Sequence, residues 1–171
     1  MKRVLKRLDR VHEKLNATLA PLNEDLFTRQ PADGGWSVAQ ILQHLRLVEE
    51  RVTKDLEKGI ERRGARVRLL KRLIPTSIVA LRLVRVKAPK AVNPLEAPDK
   101  QTAIENLNRA RSNLKKLCAD HGDCFRQVIF KHPFLGEIDG VATISFVGYH
   151  EQRHYKQIRE VLRNLAADSR G

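Results

Sequence analysis

The sequence predicts an all-α fold, a four-helix bundle formed by a single domain. Apolar residues recur at intervals of three or four along nearly the whole chain, and the alternation typical of strands is scarce. The 171 residues, 42% of them hydrophobic, suit one globular domain (1–171) with a real core. A long connection between the second and third helices indicates that two neighbouring helices run parallel.

The first two helices are predicted from apolar periodicity and from capping residues. Apolar residues at helical spacing place the first helix at about residues 2–20. Ser37 then has the character of an N-cap, and Gln40, three residues later, completes a capping box at the start of the second helix. We expect this helix to end near Gly59 or Gly64.

The second half of the chain contains a long connection and two further helices. Residues 61–98 are too long for a tight turn and indicate a crossover with some helix of its own. The third helix is predicted to begin around Asp99 to Thr102 and to be stopped by Gly122. The fourth follows the turn HPFLGEIDG and covers about residues 139–166. In such a bundle, metal and cofactor sites lie between facing helices.

Charge and cysteine content limit the classes of function. The chain has 33 Lys and Arg against 20 Asp and Glu, and its net charge of +13 favours anionic partners. We expect a cytoplasmic protein, because the amino terminus lacks the apolar core of a signal peptide and no apolar run approaches the ~20 residues that span a bilayer. The spacing of Cys118 and Cys124 is not C-x-x-C, so reduced thiols are predicted rather than a disulfide framework or a thiolate zinc site.

The pentapeptide HEQRH, residues 150–154, carries the clearest chemical signal. Its two histidines lie four positions apart on one helical face, where both imidazoles can bind the same ion. A pair of histidines that merely pack and form hydrogen bonds is the alternative. His44 supplies a third candidate ligand, because it lies at the edge of the apolar stripe of the second helix. We therefore predict an open metal site formed by His44, His150 and His154.

A zinc-protease interpretation of the same pentapeptide requires a third ligand farther along the chain. The metzincin extension places Gly at 157 and His at 160, where this sequence has Gln157 and Glu160. Without that glycine the helix continues, which carries Glu160 off the face occupied by His154. An HExxH-type zinc hydrolase is therefore only a minor alternative.

Two segments resemble the DinB/YfiT-like superfamily. They are GGWSVAQILQHL, in which Trp36 and Ser37 open the helix that carries His44, and HPFLGEIDGVATISFVGYHEQRHYKQIREVL, which carries the other two histidines. The resemblance covers most of the chain but is weak through its basic middle. It implies an up-down-down-up bundle, commonly dimeric, with a divalent ion held by one histidine of the second helix and two of the fourth. That pattern falls on His44, His150 and His154.

The resemblance also implies a class of chemistry. Several relatives are metal-dependent transferases or isomerases that use low-molecular-weight thiols such as bacillithiol, mycothiol or glutathione. Three neutral imidazoles leave coordination positions for water or a thiolate, and the ion lowers the pKa of whichever binds. Zinc and nickel both fit such a donor set. We predict a thiol-dependent S-transferase or a related hydrolase that acts on a small-molecule substrate.

The remaining polar residues near these segments receive individual predictions. Glu151, one residue off the ligand face, is either a solvated or supporting residue or the general base. Gln157 is a neighbour of the pocket. His132 is expected to form hydrogen bonds that shape the turn before the fourth helix, and His121 suits a helix C-terminus. His12 is expected at the surface or rim.

The basic middle, residues 58–90, supports a second class of function. It is rich in Lys and Arg and contains almost no acids apart from Glu61. With its interleaved apolar residues it is compatible with an amphipathic surface for anionic membranes or nucleic acid, or with a solvated helical face. Aromatic stacking residues and nucleic-acid-binding motifs are lacking there. A non-catalytic stress-response or binding protein that uses this surface is the alternative function.

Overall fold

The structure, a computed structural model, describes residues 1–62, 76–77, 92–94, 96–132 and 135–168. Within these residues, no helix combines the length and the apolar character that a bilayer span requires. The four long helices form the predicted four-helix bundle, and a 3-10 helix (Gly122–Gln127) precedes a small hairpin. In chain order the elements are α1 (Lys2–Leu19), α2 (Glu24–Thr28), α3 (Val38–Glu61), α4 (Lys100–His121), β1 (Ile129–His132), β2 (Gly136–Asp139) and α5 (Gly140–Asp168).

The core contains two separate apolar clusters, and the order in which each long helix passes them gives the direction of that helix. Along α1 and α5 the chain passes from the first cluster to the second, whereas along α3 and α4 it passes from the second to the first. The topology is therefore up-down-down-up, as predicted, with α1 parallel to α5 and α3 parallel to α4. The first cluster includes Leu8, Leu56, Leu114 and Ile144, and the second includes Leu15, Ile41, Leu107 and Ile158.

Side-chain caps account for the starts of α3 and α4. Ser37 Oγ accepts a hydrogen bond from the Gln40 backbone N–H at 3.2 Å, and Gln40 Oε1 accepts one from the Ser37 N–H at 3.0 Å. This is the predicted capping box, and it starts α3 at Val38. In the same way, the Asp99 carboxylate accepts from the Thr102 N–H at 2.9 Å and starts α4. Each cap stabilises its helix by about 1 kcal/mol.

Two short elements differ from the prediction. Helix α2 lies between the first two predicted helices, in a segment for which no helix is predicted, and Asn23 caps it by accepting from the Leu26 N–H. The segment predicted as a turn before the last helix contains β2, which pairs antiparallel with β1 so that Ile129 lies opposite Asp139. Elements of four or five residues are too short for periodicity to reveal.

The long connection between α3 and α4 lies against the bundle at the points that are described. Val92 and Pro94 are buried, and Thr76 Oγ1 donates a hydrogen bond to Ser145 Oγ of α5 at 3.4 Å. The predicted basic segment 58–90 falls mostly outside the described residues.

Candidate metal centre

The three predicted ligands meet between α3 and α5, which run antiparallel. Nε2 of His150 lies 3.3 Å from Nε2 of His44 and 3.2 Å from Nε2 of His154. One ring nitrogen from each residue lies within 4.8 Å of those from the other two. His44 and His150 are 106 positions apart in the chain, so the fold alone brings them together. His44 and His154 are buried, whereas His150 is half-buried.

Hydrogen bonds to the outer ring nitrogens orient two of these imidazoles. His44 Nδ1 lies 2.7 Å from the backbone carbonyl oxygen of Val92. Because a carbonyl only accepts, Nδ1 carries the proton and Nε2 presents a lone pair. His154 Nδ1 donates in the same way to Gln157 Oε1 at 2.8 Å. Partners of this kind select the tautomer of metal-binding histidines in proteins.

The surroundings favour the neutral form of the His44 and His150 rings. Burial lowers the pKa of His44, against the opposing effect of its hydrogen bond to Val92. Loss of surrounding water holds the pKa of His150 well below its usual value, and the neighbouring His154 and His44 lower it further. Neutral imidazole is the form that binds a metal ion.

This donor set fits a divalent metal ion. With metal–nitrogen distances of about 2.0–2.1 Å, tetrahedral coordination separates neighbouring ligand nitrogens by about 3.3 Å. The separations of 3.3 Å and 3.2 Å between the Nε2 atoms agree with this value. Three protein ligands also leave a coordination position for water or substrate.

Aromatic side chains line the site. The Trp36 ring lies 5.0 Å from the His44 ring, centroid to centroid, and is stacked at 6.5 Å and 19° against His154. The Phe146 ring lies 5.3 Å from that of His150. Trp36 directly precedes the N-cap of α3, so the start of the helix and the wall of the site are built from adjacent residues. Such an apolar wall limits water and strengthens electrostatic interactions inside the site.

Glu151 takes part in a different cluster. It is 2% exposed, its Oε1 lies 2.8 Å from His12 Nδ1, and its Oε2 accepts from Arg111 Nη2 at 3.0 Å. Burial excludes the solvated role for Glu151, whereas the supporting role stays a prediction. His12, expected at the surface or rim, is half-buried, with its side chain 13% exposed and its Nδ1 against this carboxylate. We do not assign the predicted general-base role to Glu151, since a guanidinium and an imidazole already bind both of its oxygens.

The other predicted residues lie where the sequence suggests. His132 Nδ1 accepts the Leu135 N–H at 3.0 Å, which confirms its role in the turn before α5, and burial lowers its pKa to about 4. His121 is the last residue of α4. Cys118 and Cys124 are both free thiols, and burial raises the pKa of Cys118 to about 11.

Comparison with known proteins connects this geometry to a family. A family model of the DinB superfamily matches residues 7–158, which include all three histidines. The chain belongs to the DinB superfamily. It is 24% identical over 151 residues to the uncharacterized protein YuaE of Bacillus subtilis (strain 168), and the match covers 84% of this chain and 87% of YuaE.

A solved structure shares the DinB-superfamily fold found here. The crystal structure of TT2238, a four-helix bundle protein, superposes with a TM-score of 0.62 at 22% sequence identity. The alignment covers 93% of this chain and 98% of that protein. At this level of identity the likeness shows the fold, and it agrees with the predicted bundle.

Sequence reasoning gave no role to three residues: Val92 and Phe146, which contact candidate ligands, and Arg111, which binds Glu151 beside His150. Val92 contributes a backbone carbonyl, which has no signature in the identity of its side chain. Arg111 is one of many basic residues on the charged helices, and only the fold shows that it is buried. Phe146 was an ordinary apolar residue of the last helix. Burial among tertiary neighbours, which spacing alone does not reveal, is the signal that distinguishes all three.

Proposed function

We propose that this DinB-superfamily chain is a metal-dependent thiol S-transferase or a related hydrolase. In the transferase reaction, the thiolate sulfur of a low-molecular-weight thiol forms a bond to an electrophilic carbon, which either loses a leaving group or adds the thiol across a multiple bond or strained ring. The observation that supports the proposal is the convergence of three histidine Nε2 atoms from α3 and α5. His44, His150 and His154 would hold a divalent ion, with zinc or nickel suited to the all-imidazole set. A bound ion of this kind lowers the pKa of a thiol or water ligand, so that the nucleophile is available at neutral pH.

The residues around the histidines orient the candidate ligands and line the site with an aromatic ring. Val92 and Gln157 hold protons on the outer nitrogens of His44 and His154, which keeps both Nε2 lone pairs directed inward. Trp36 contacts the same two rings and offers an apolar surface for the non-reacting part of a substrate. These contacts fix the orientation of the ligands, and His150, the least buried of the three, marks the side on which we place substrate access.

Elemental analysis of the purified protein, after incubation with zinc or nickel and removal of free ions, tests the first step. We expect one equivalent of metal in the wild type and in His121→Ala, a control that changes a histidine at the end of α4. His44→Ala and His154→Ala should lose at least 100-fold in affinity, because each removes a direct ligand. A wild-type protein without stoichiometric metal would contradict the proposal.

A second experiment separates the enzyme from a binding protein. The metal-loaded protein is incubated with glutathione, bacillithiol or mycothiol and a chromogenic electrophile, and in parallel with chromogenic esters and amides. We expect turnover with at least one pair that His44→Ala abolishes. Metal binding without turnover of any of these substrates would argue against the enzymatic role and for a non-catalytic binding protein.

The proposal extends to the setting in which the protein acts. Free Cys118 and Cys124 suit the reducing cytoplasm. A homodimer, which the family resemblance implies, is tested by light scattering of the eluted protein at several concentrations. A mass near 19.6 kDa at all concentrations would exclude the dimer.

A further inference from the structure

We propose that Arg111 is a positioning residue that holds α3 and α5 in the arrangement at which His44 meets His150 and His154. The inference rests on the proposed metal site and adds to it a residue from α4, a helix that contributes no ligand. What supports it is a buried ionic cluster that joins all four long helices. Its members are His12, Glu49, Asn108, Arg111 and Glu151.

The guanidinium of Arg111 lies at the centre of this buried cluster and is 4% exposed. Its Nε donates to Glu49 Oε1 at 2.6 Å, and its Nη2 donates to Glu49 Oε2 at 3.1 Å, so the pair is bidentate. The same Nη2 donates to Glu151 Oε2 at 3.0 Å, and Nη1 donates to the backbone carbonyl of Leu8 at 3.2 Å. One side chain of α4 therefore binds α1, α3 and α5 at once.

Both carboxylates are close in sequence to the candidate ligands. Glu49 lies five residues after His44 on α3, and Glu151 directly follows His150 on α5. Because a helix moves as a rigid body over so short a distance, fixing the carboxylate also fixes the rotation of the imidazole. Rotating α5 by about 20° would displace a side-chain tip by roughly 2 Å, which equals a whole metal–ligand distance.

An ionic cluster fixes rotation better than apolar packing does. Apolar side chains tolerate small rotations, whereas a guanidinium fork accepts carboxylates only from set directions. A buried ion set of this kind is seldom needed for stability, since apolar residues of similar volume are often as stable or more so. The proposed role of the two buried glutamates around Arg111 is therefore to fix geometry rather than to add stability.

His12 adds a second constraint on Glu151. Its Nδ1 lies 2.8 Å from Glu151 Oε1, and its Nε2 lies 2.7 Å from Asn108 Oδ1 of α4. The carboxylate next to His150 is thus held from α1 and from α4. Arg111 nevertheless carries the inference, because it alone of the cluster bridges Glu49 and Glu151, the members on the two ligand-bearing helices.

Binding of Co²⁺ tests this inference, since the visible absorption of the bound ion reports its coordination geometry. The variants are Arg111→Met and the triple variant Glu49→Met, Arg111→Met, Glu151→Met, which removes the buried charges together. We expect the triple variant to recover stability relative to the single variant. Both should bind Co²⁺ roughly 10–100-fold more weakly than the wild type, the range typical for loss of supporting contacts, with an altered spectrum.

The matched control is Leu117→Ala, which removes core volume from the same helix without touching Glu49 or Glu151. We expect it to lower the melting temperature while Co²⁺ affinity and spectrum stay at wild-type values below that temperature. Arg111→Lys, which keeps the charge but loses the fork, should fall between the wild type and Arg111→Met. A folded triple variant with wild-type affinity and spectrum would overturn the positioning role alone. A wild type that binds no Co²⁺ would overturn the metal site, and the inference with it.

Discussion

Nδ1 of His44 lies 2.7 Å from the backbone carbonyl oxygen of Val92, so a candidate metal ligand on α3 is oriented by the long connection that precedes α4. His154 has the corresponding support from Gln157 within its own helix. Mutation can remove the side-chain acceptor of Gln157, whereas it cannot remove the backbone carbonyl of Val92. The hydrogen bond of His154 is therefore the one that a substitution can test.

Replacing Gln157 is expected to weaken metal binding without removing a ligand. Gln157→Leu leaves His154 Nδ1 without its acceptor, so the ring is free to rotate or to change tautomer. We expect the dissociation constant for Zn²⁺, measured by competition with a chromophoric chelator, to rise about 10–100-fold. Gln157→Glu should bind at least as tightly as the wild type, because it retains an acceptor. Gln152→Leu, on the same helix, is the control and should leave the constant unchanged.

Trp36 is expected to report metal binding directly. It is the one tryptophan of the chain, and its ring lies 5.0 Å from that of His44. Addition of Ni²⁺ or Co²⁺ should therefore quench its emission, with saturation at one equivalent. His154→Ala should abolish the quenching at low metal concentration, whereas Trp36→Phe should remove the signal but keep the metal. Quenching that is identical in the wild type and in His154→Ala would place the ion elsewhere.

His132 is expected to make the metal-free protein sensitive to acid. Burial lowers its pKa to about 4, against about 6.5 in the unfolded chain. The unfolded state therefore binds the proton more readily, and the stability present above pH 6.5 is lost as the pH falls towards 4. The loss amounts to roughly 3 kcal/mol at most.

Urea unfolding at pH 7 and pH 4.5 measures this loss. His132→Asn, which keeps a short acceptor for the Leu135 N–H but does not titrate, should lose less stability between the two values than the wild type. Part of the loss should remain, because the pKa values of His44 and His150 are lowered as well. His121→Asn is the control, and an acid loss in His132→Asn equal to that of the wild type would refute the assignment.

Position 59, where α3 passes Val128, is expected to tolerate only glycine. A Cβ on Gly59 would lie 2.4 Å from Val128 Cγ1, and Val128 is 1% exposed. Gly59→Ala should therefore destabilise the fold by about 1–3 kcal/mol, although alanine favours a helix. Adding Val128→Ala should recover part of the loss.

A matched glycine on α5 provides the control for that experiment. A Cβ on Gly148 would meet Leu8 Cδ1 at 3.5 Å, which is ordinary contact. Gly148→Ala should therefore be neutral or stabilise by up to about 1 kcal/mol in thermal or urea unfolding. Equal destabilisation by the two alanine substitutions would show that helix packing, rather than the specific contact with Val128, sets the cost.

The sequence was sufficient to predict the bundle, the capping box at Ser37 and the three histidines. Periodicity is a local property, and an H-E-x-x-H spacing places two imidazoles on one face in any helix. The position of His44 at the edge of the apolar stripe of the second helix made it the third candidate ligand, and the family resemblance implies the same set. The sequence predicts these features because each depends on residues that are close together in the chain or on a known motif.

The ionic cluster could not be predicted in the same way. Arg111, Glu49 and Glu151 lie on three helices, and each is an ordinary charged residue in a chain where charged residues are common. Only tertiary packing distinguishes a guanidinium that is buried from one in solvent. The same reasoning applies to His12, whose partners on α4 and α5 are both distant in sequence.

The adjacency of His150 and Glu151 has a consequence for the descent of this chain. His150 contacts the other candidate ligands, and the next residue, Glu151, binds Arg111. One turn of α5 therefore takes part both in the candidate metal site and in the ionic cluster. Losing Arg111 alone would strand two carboxylates in the core, whereas exchanging all three charged residues at once would not. Among relatives that keep the three histidines, we therefore expect positions 49, 111 and 151 to be inherited or replaced as a group.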